Sequence, residues 1–420
     1  MRFTMRMRRP STRGILKRAL FTMLSAQFLI VVALMVTTKV RKMMRGSRGN
    51  DTFPVTPPAP LEVGAGNTAT VYTYGSDLFE DMLAAIGNAR DRILFETYII
   101  KADEMGRRFK QALIDAAERG VDVYVIYDGF ANLVVTPSFL TFPAPIHVLR
   151  YPVFATGWRF FSPRQMGRDH RKVLVVDDEV GYVGGYNVGS LYASEWRDTH
   201  LKIEGPSVWD LDNAFVDFWN LRRRKRARML KERGDASWEP QIRAHRNVPR
   251  QLLFPIRGMY IEAIDRARDH IYITAAYFIP DRDILDGLLA AAARGVRVRI
   301  LVPEISNHVV ADWLSRGFYS QLLDGGVEIL LYQDWMVHAK TATIDGRWTT
   351  IGTANIDRLS LTGNYEINLE ILDDALAQHL ETVFETDASN ARVLTRTEWS
   401  SRPLVAKACE WILAPLRPLL

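Results

Sequence analysis

Histidine, lysine, aspartate, glycine and asparagine recur in this 420-residue sequence at one set of intervals. His170, Lys172, Asp177, Gly184 and Asn187 fall within HRKVLVVDDEVGYVGGYN, and His338, Lys340, Asp345, Gly352 and Asn355 follow 168 residues later in HAKTATIDGRWTTIGTAN. With a background of about one in twenty per residue type, five matches at one offset arise by chance in roughly one of 10⁴ such chains. A repeated fold alone would preserve apolar core positions. These positions are mostly polar, and polar groups are costly to bury unless they do chemistry or satisfy one another. Strand alternation puts His170 and Lys172 on one face with Leu174 and Val176, and does the same for His338 and Lys340. If two halves meet about a pseudo-twofold axis, one cleft holds two imidazoles, two ammonium groups and two carboxamides. Such a cleft suits phosphate, because lysine and asparagine donate to non-bridging oxygens. Two opposed imidazoles supply a two-step phosphoryl displacement in which one attacks phosphorus and the other protonates the departing alkoxide. With an ordinary pKa of about 6.5, either imidazole can take either part.

An acid stands 28 residues after each histidine, Asp198 in the first copy and Glu366 in the second. A carboxylate that accepts the far ring N–H of a histidine fixes its tautomer and orientation. Asp177 and Asp345, with Gly184 and Gly352, read as turn and hydrogen-bond framework. His147, His200, His245, His270, His308 and His379 lie outside the pattern and read as structural. A lysine beside each histidine repels a cation, so neither a metal nor another cofactor is expected. The single cysteine, Cys409, excludes an intramolecular disulfide and a cysteine-rich zinc site.

The elements that must carry these residues also repeat. ARDRILFETYII from Ala89 leads to GRRFKQALIDAAERG and VDVYVIYDG, and ARDHIYITAAYFIP from Ala267 leads to DRDILDGLLAAAARG and VRVRILVPE. Each reads as strand, helix, strand, with Gly120 and Gly295 closing the helices and apolar runs forming buried parallel strands. Two α/β halves are expected.

The chain has a formal charge of +6, but the charge is unevenly placed. Residues 1–48 hold 12 of the 54 Lys/Arg and none of the 48 Asp/Glu, so the remainder has 42 basic against 48 acidic residues, a formal −6. A DNA-binding body should be basic, so no nucleic-acid partner is expected. Ala19–Thr38 is an uncharged run of 20 residues, about the length that crosses a hydrocarbon core of roughly 30 Å. It predicts a membrane helix, with basic residues on both sides that leave sidedness open. Asp51–Pro60 is proline-rich and suits a linker. Ser207–Gly234 begins with apolar residues at helical spacing and becomes basic from Arg222 to Arg228, a run that fits either a solvated helix or contact with anionic headgroups. The segment VAKACEWILAPLRPLL near the C-terminus fits either the membrane interface or a cover on the core.

The twice-occurring H-x-K-x4-D-x6-G-[GST]-x-N resembles the signature of the phospholipase D superfamily. Similarity from about Val71 to Asn390, including ETYII near Glu96, WRDTHLKIEGP at Trp196 and DRLSLTGNYEINLEI at Asp357, points to the bacterial cardiolipin synthases within it. The resemblance implies a covalent phosphohistidine and transfer of a phosphatidyl group from one phosphatidylglycerol to another, with release of glycerol. It implies His170 as nucleophile and His338 as acid and then base. Lys172, Lys340, Asn187 and Asn355 become the phosphate clamp, and Asp198 and Glu366 the acids that orient the histidines. Gly184-Gly185 departs from the Gly-Ser of the general pattern, whereas Gly352-Thr353 keeps a hydroxyl. The alternative is a phospholipase D-type hydrolase of phospholipid or, less readily, of nucleic acid. The organisation expected is a basic N-terminus over 1–48 with the membrane helix at 19–38, a linker over 49–65, phospholipase D-like α/β sandwich halves over 66–245 and 246–395, and an apolar segment over 396–420. The protein is expected at the cell (inner) membrane with anionic phospholipid as substrate, its oligomeric state left open.

Overall fold

The computed structural model describes residues 12–45, 52–153, 167–231 and 241–419. Helix α1 (Thr12–Arg45) comes first and extends past both ends of the expected membrane helix. Its stretch Leu20–Val40 is long and apolar enough to cross a bilayer.

The first half then runs β1 (Pro60–Val63), β2 (Asn67–Tyr72), α2 (Gly75–Asn88), β3 (Arg92–Thr97), α3 (Glu104–Glu118), β4 (Asp122–Asp128) and β5 (His147–Tyr151). It continues with β6 (Val173–Val176), β7 (Val180–Gly184), α4 (Ser190–Ser194), β8 (Trp196–Arg197), β9 (His200–Glu204) and α5 (Val208–Arg222). The second half runs β10 (Ile242–Asn247), α6 (Pro255–Arg266), β11 (His270–Ala275), α7 (Arg282–Ala293), β12 (Arg297–Pro303), α8 (Val309–Asp324), β13 (Glu328–Tyr332) and β14 (Met336–Val337). After it come β15 (Lys340–Ile344), β16 (Trp348–Gly352), α9 (Arg358–Thr362), β17 (Glu366–Leu372), α10 (Asp374–Ala388), β18 (Ala391–Val393), α11 (Arg396–Ser400) and α12 (Leu404–Leu413).

Each half is an eight-stranded sheet, ordered β1-β2-β9-β7-β6-β3-β4-β5 and β10-β17-β16-β15-β11-β12-β13-β18. Every side chain of β3 is buried, as a strand without a wet face requires, and helical crossovers such as α3 and α7 make β3–β4 and β11–β12 parallel. Gly120 and Gly295 end those crossovers at φ +95 and +93, a region closed to most side chains. The sheets face each other across one core, in which Val183, Leu201 and Ile203 meet Ile351, Ile367 and Leu369. This is the expected pair of sandwich halves related by a pseudo-twofold axis.

Two short parallel pairings cross that axis. Met336 and Val337 pair with Trp196 and Arg197, and Asp169 bridges to Tyr365. The backbone N–H of His338 donates to Arg197 O at 2.6 Å, and that of His170 to Tyr365 O at 3.0 Å.

Several expectations are corrected. Both histidines and Lys172 lie in the extended approach to their strands, since β6 begins at Val173 and β15 at Lys340. The proline-rich segment is partly built in: Phe53 is buried edge-on against Tyr74 and Trp335, and Pro60–Val63 is an edge strand. The boundary expected at 245/246 cuts β10, which pairs along its whole length with β17. Helix α5 stops at Arg222, whose guanidinium stacks on Tyr151 and Tyr365, while Arg223 turns back onto carbonyls of Arg224, Lys225 and Ala227. Of the basic run, Arg224, Lys225, Arg226 and Arg228 are exposed, the last within 3.1 Å of Asp122.

Candidate active site

The turns after β6 and β15 are built alike. Asp177 and Asp345 adopt φ of 53 and 54, tolerable for aspartate, and each carboxylate accepts three consecutive backbone N–H groups. For Asp177 the donors are Arg90, Asp91 and Arg92, at 2.8–2.9 Å; for Asp345 they are Arg268, Asp269 and His270, at 2.8–3.0 Å. These bonds lash each hairpin to the entry of its central strand and so set the height of the histidine at the hairpin's other end.

At that end the acids cross over. His170 Nδ1 lies 3.0 Å from both oxygens of Glu366, and His338 Nδ1 lies 2.6 Å from Oδ2 of Asp198. Each histidine is thus held by the carboxylate of the other half. The cause is the cross-axis pairing: the residue before each histidine segment lies beside the residue before the opposite acid. Thr353 Oγ1 donates to Glu366 at 2.6 Å, whereas Asp198 accepts from the backbone N–H of Thr199 at 2.7 Å.

A cavity of about 400 Å³ opens over the two imidazoles, with Asn187, Asn355, Tyr277 and Asp357 in its wall. The lysines do not line it. Lys172 Nζ donates to His170 O at 2.6 Å, and Lys340 Nζ to His338 O while lying 2.9 Å from His338 Nδ1. Asn187 Oδ1 accepts from Ile99 N at 3.2 Å, and the buried Oδ1 of Asn355 has no partner among the described residues.

Burial dominates the electrostatics. It lowers the pKa of His170 against the opposing pull of Glu366, and together with Lys340 it pushes His338 down to about 3. Burial likewise brings Lys172 down to about 7 and Lys340 to about 8, and it lifts Asp357 to about 7. For Asp198 burial acts upward, but Lys340 and His338 outweigh it and hold the carboxyl below its usual range. An anion placed between the rings would raise the pKa of every cation around it.

Sequence reasoning passed over several residues here. Tyr98 meets His170 edge-on at 4.7 Å, Trp196 is 4.8 Å from His338, and His308, read as structural, reaches the cavity wall. Tyr98, Trp196 and Asp357 stood inside the quoted segments, but a search by symmetry misses residues that only one half carries. His200, also read as structural, is buried beneath Gly184 with no hydrogen-bond partner for either ring nitrogen among the described residues, its pKa pushed by burial down to about 3.

Residues 82–219 and 260–388 each match the family model described as cardiolipin synthase, PLD-like domain. The chain belongs to this phospholipase D-like family. Each matched stretch contains one complete set of histidine, lysine, asparagine and acid. A cardiolipin synthase of Staphylococcus aureus is 33% identical over 368 residues, covering 84% of this chain and 74% of that relative. The major cardiolipin synthase of Bacillus subtilis is 32% identical over 366 residues, covering 84% and 76%. The structure of phosphatidylserine synthase from Haemophilus influenzae superposes with a TM-score of 0.65 at 16% identity, covering 90% of this chain and 98% of that one. That likeness concerns the two-sheet fold.

Proposed function

We propose that this phosphatidyltransferase of the phospholipase D superfamily makes cardiolipin from two molecules of phosphatidylglycerol at the cell membrane. The observation that carries the reading is the crossed pair of histidine–carboxylate contacts on one cavity, joined to the cardiolipin synthase activity named for the relatives.

In the first step Nε2 of neutral His170 attacks phosphorus of the donor lipid. The bond to the headgroup glycerol breaks, and that oxygen takes a proton from His338 Nε2. Glycerol leaves, and the phosphatidyl group remains as a phosphoramidate on His170. In the second step His338, now neutral, takes the proton of a hydroxyl on the second phosphatidylglycerol. Its oxygen attacks phosphorus, the N–P bond breaks, and His170 returns unprotonated. Glu366 and Asp198 hold the Nδ1 protons, so that Nε2 of each ring faces phosphorus. Asn187 and Asn355 donate amide N–H to the non-bridging oxygens, and Lys172 and Lys340 supply positive charge from behind.

The test is lipid mass spectrometry after detergent-solubilised protein meets phosphatidylglycerol vesicles, with His170→Ala in parallel. Cardiolipin and glycerol, both missing with the variant, are expected. Phosphatidic acid as sole product would make the enzyme a hydrolase. Adding a chelator should leave the rate unchanged, because no step draws on a metal; a chelator-sensitive rate restored by one divalent ion would overturn that part of the mechanism.

A further inference from the structure

Helix α12 is built inside out for a water-soluble surface. Its charged Glu410 faces inward, accepting from Arg402 Nη2 at 2.9 Å and lying 3.2 Å from Arg316, while Leu404, Val405 and Trp411 are 80%, 75% and 78% exposed. Pro403 and Ala408 are exposed beside them, and the half-exposed Lys407 donates Nζ–H to Ser400 O at 2.9 Å. A helix that turns its acid inward, ties its lysine to a backbone carbonyl at one end and presents its large apolar residues is matched to a solvent that is not water.

The neighbour of α12 is the apolar helix α1. Gln27, almost wholly buried, donates Nε2–H to Ile412 O at 3.0 Å, and Ile30, Val31 and Leu34 pack beside Leu413, Leu314 and Ala311. Beyond Leu34 the two separate, and Thr37 and Thr38 line a groove together with Asp312, Trp313 and Arg316 of α8. From Gln27 to Leu34, at about 1.5 Å per residue, the body lies against roughly 10 Å of α1, about a third of a hydrocarbon core of roughly 30 Å. A bilayer crossed by Leu20–Val40 therefore cannot stop at the surface of the body; it must take in whatever touches Gln27. The apolar cluster between the two also reaches the active site, because Tyr277, Ile279, Val310 and Ala311 belong both to it and to the cavity wall.

We propose that α12 and the α1-facing side of α8 form a membrane-embedded face, sunk into the acyl region of one leaflet, which seats the active-site cavity at the headgroup level of a phospholipid bilayer. The occupant of this face is the bilayer itself. Leu404, Val405 and Trp411 continue the surface that exposed residues of α1 such as Phe28 and Leu29 present to lipid. The inference concerns depth and is independent of which alcohol accepts the phosphatidyl group.

Spin-label accessibility tests it on the full chain in phosphatidylglycerol-containing liposomes. In a Cys409→Ser background, Val405→Cys and Trp411→Cys carry the label. Phe28→Cys serves as the reference inside the bilayer, and Arg282→Cys, whose side chain is 90% exposed on α7, as the reference in water. Collisions with oxygen should exceed those with a water-soluble nickel chelate at 405 and 411, as at 28, with the ratio reversed at 282. If 405 and 411 behave like 282, the face lies in water and the proposal is wrong. If 28 also behaves like 282, the premise that α1 enters the bilayer fails and takes the proposal with it. Unchanged liposome flotation of every variant shows that each is folded and inserted as the parent is.

Discussion

Gly185 stands where the second motif has Thr353, and the two residues meet their acids in opposite ways. The threonine hydroxyl donates to Glu366, but a Cβ on Gly185 would come within 2.0 Å of Asp198 Oδ1, so the glycine makes room for the carboxylate itself. Gly185→Ser, which restores the more general pattern, should push Asp198 off His338 and lower turnover; activity equal to the parent would show that Asp198 can shift without cost. In the proposed covalent cycle both rings act on one phosphorus, so His170→Ala and His338→Ala should each lower kcat by about 10³-fold or more, and the double variant should lose little beyond either. Additive losses in single-turnover kinetics would mean two independent sites. Lys172 and Lys340, brought down to about 7 and about 8, are cationic below those values and neutral above them. The KM for an anionic lipid should therefore rise as pH climbs from 6 to 9, and titration of KM against pH checks it. The polar set was legible because it recurs at a fixed offset. Which acid serves which histidine was not, since both acids stand 28 residues beyond their own histidines and only the cross-axis pairing joins them to the other. Tyr98 escaped for a related reason: its counterpart before β12 is Ala276, so nothing recurs there.

At the scale of elements, the hairpins depend on Asp177 and Asp345. Replacing either with alanine leaves three N–H groups without their acceptor and removes a residue suited to positive φ, a cost of about 1–3 kcal/mol. Thermal unfolding should show similar losses for the two variants, as their geometry is the same in both halves. A loss confined to one half would show that the turns are not equivalent. Strand, helix, strand units were readable from apolar runs and the glycines that close each helix. The end of α5 was not, because its basic residues keep a helical pattern past Arg222, and the stop comes from Arg223 capping carbonyls and from Arg222 docking on Tyr151 and Tyr365. Phe53 was hidden by its company of prolines, since burial on Tyr74 and Trp335 is a tertiary fact.

At the scale of the whole molecule, neither half holds both a motif histidine and the carboxylate that meets it. Residues 1–241 and 242–420, expressed apart, each expose the face lined by Val183 and Leu201 or by Ile351 and Leu369 and lack the acid for their own histidine. Neither should turn over lipid alone, and co-expression should recover activity along with a stable pair of fragments; a single fragment active by itself would contradict the crossed arrangement. That arrangement also carries a history. A protein of one such half could not have catalysed anything as a single copy, because its carboxylate reached only a neighbour's imidazole. An ancestor built of one half would therefore have worked as a pair of identical chains with the site on their symmetry axis. Joining the two genes end to end freed the reaction from dependence on encounter, and it released the copies from identity, so that Asp198 could drift from Glu366, Gly185 from Thr353 and Gly189 from Asp357. Two sides with different tasks in the proposed cycle, one to hold the phosphatidyl group and one to pass protons to and from the alcohols, had become free to differ.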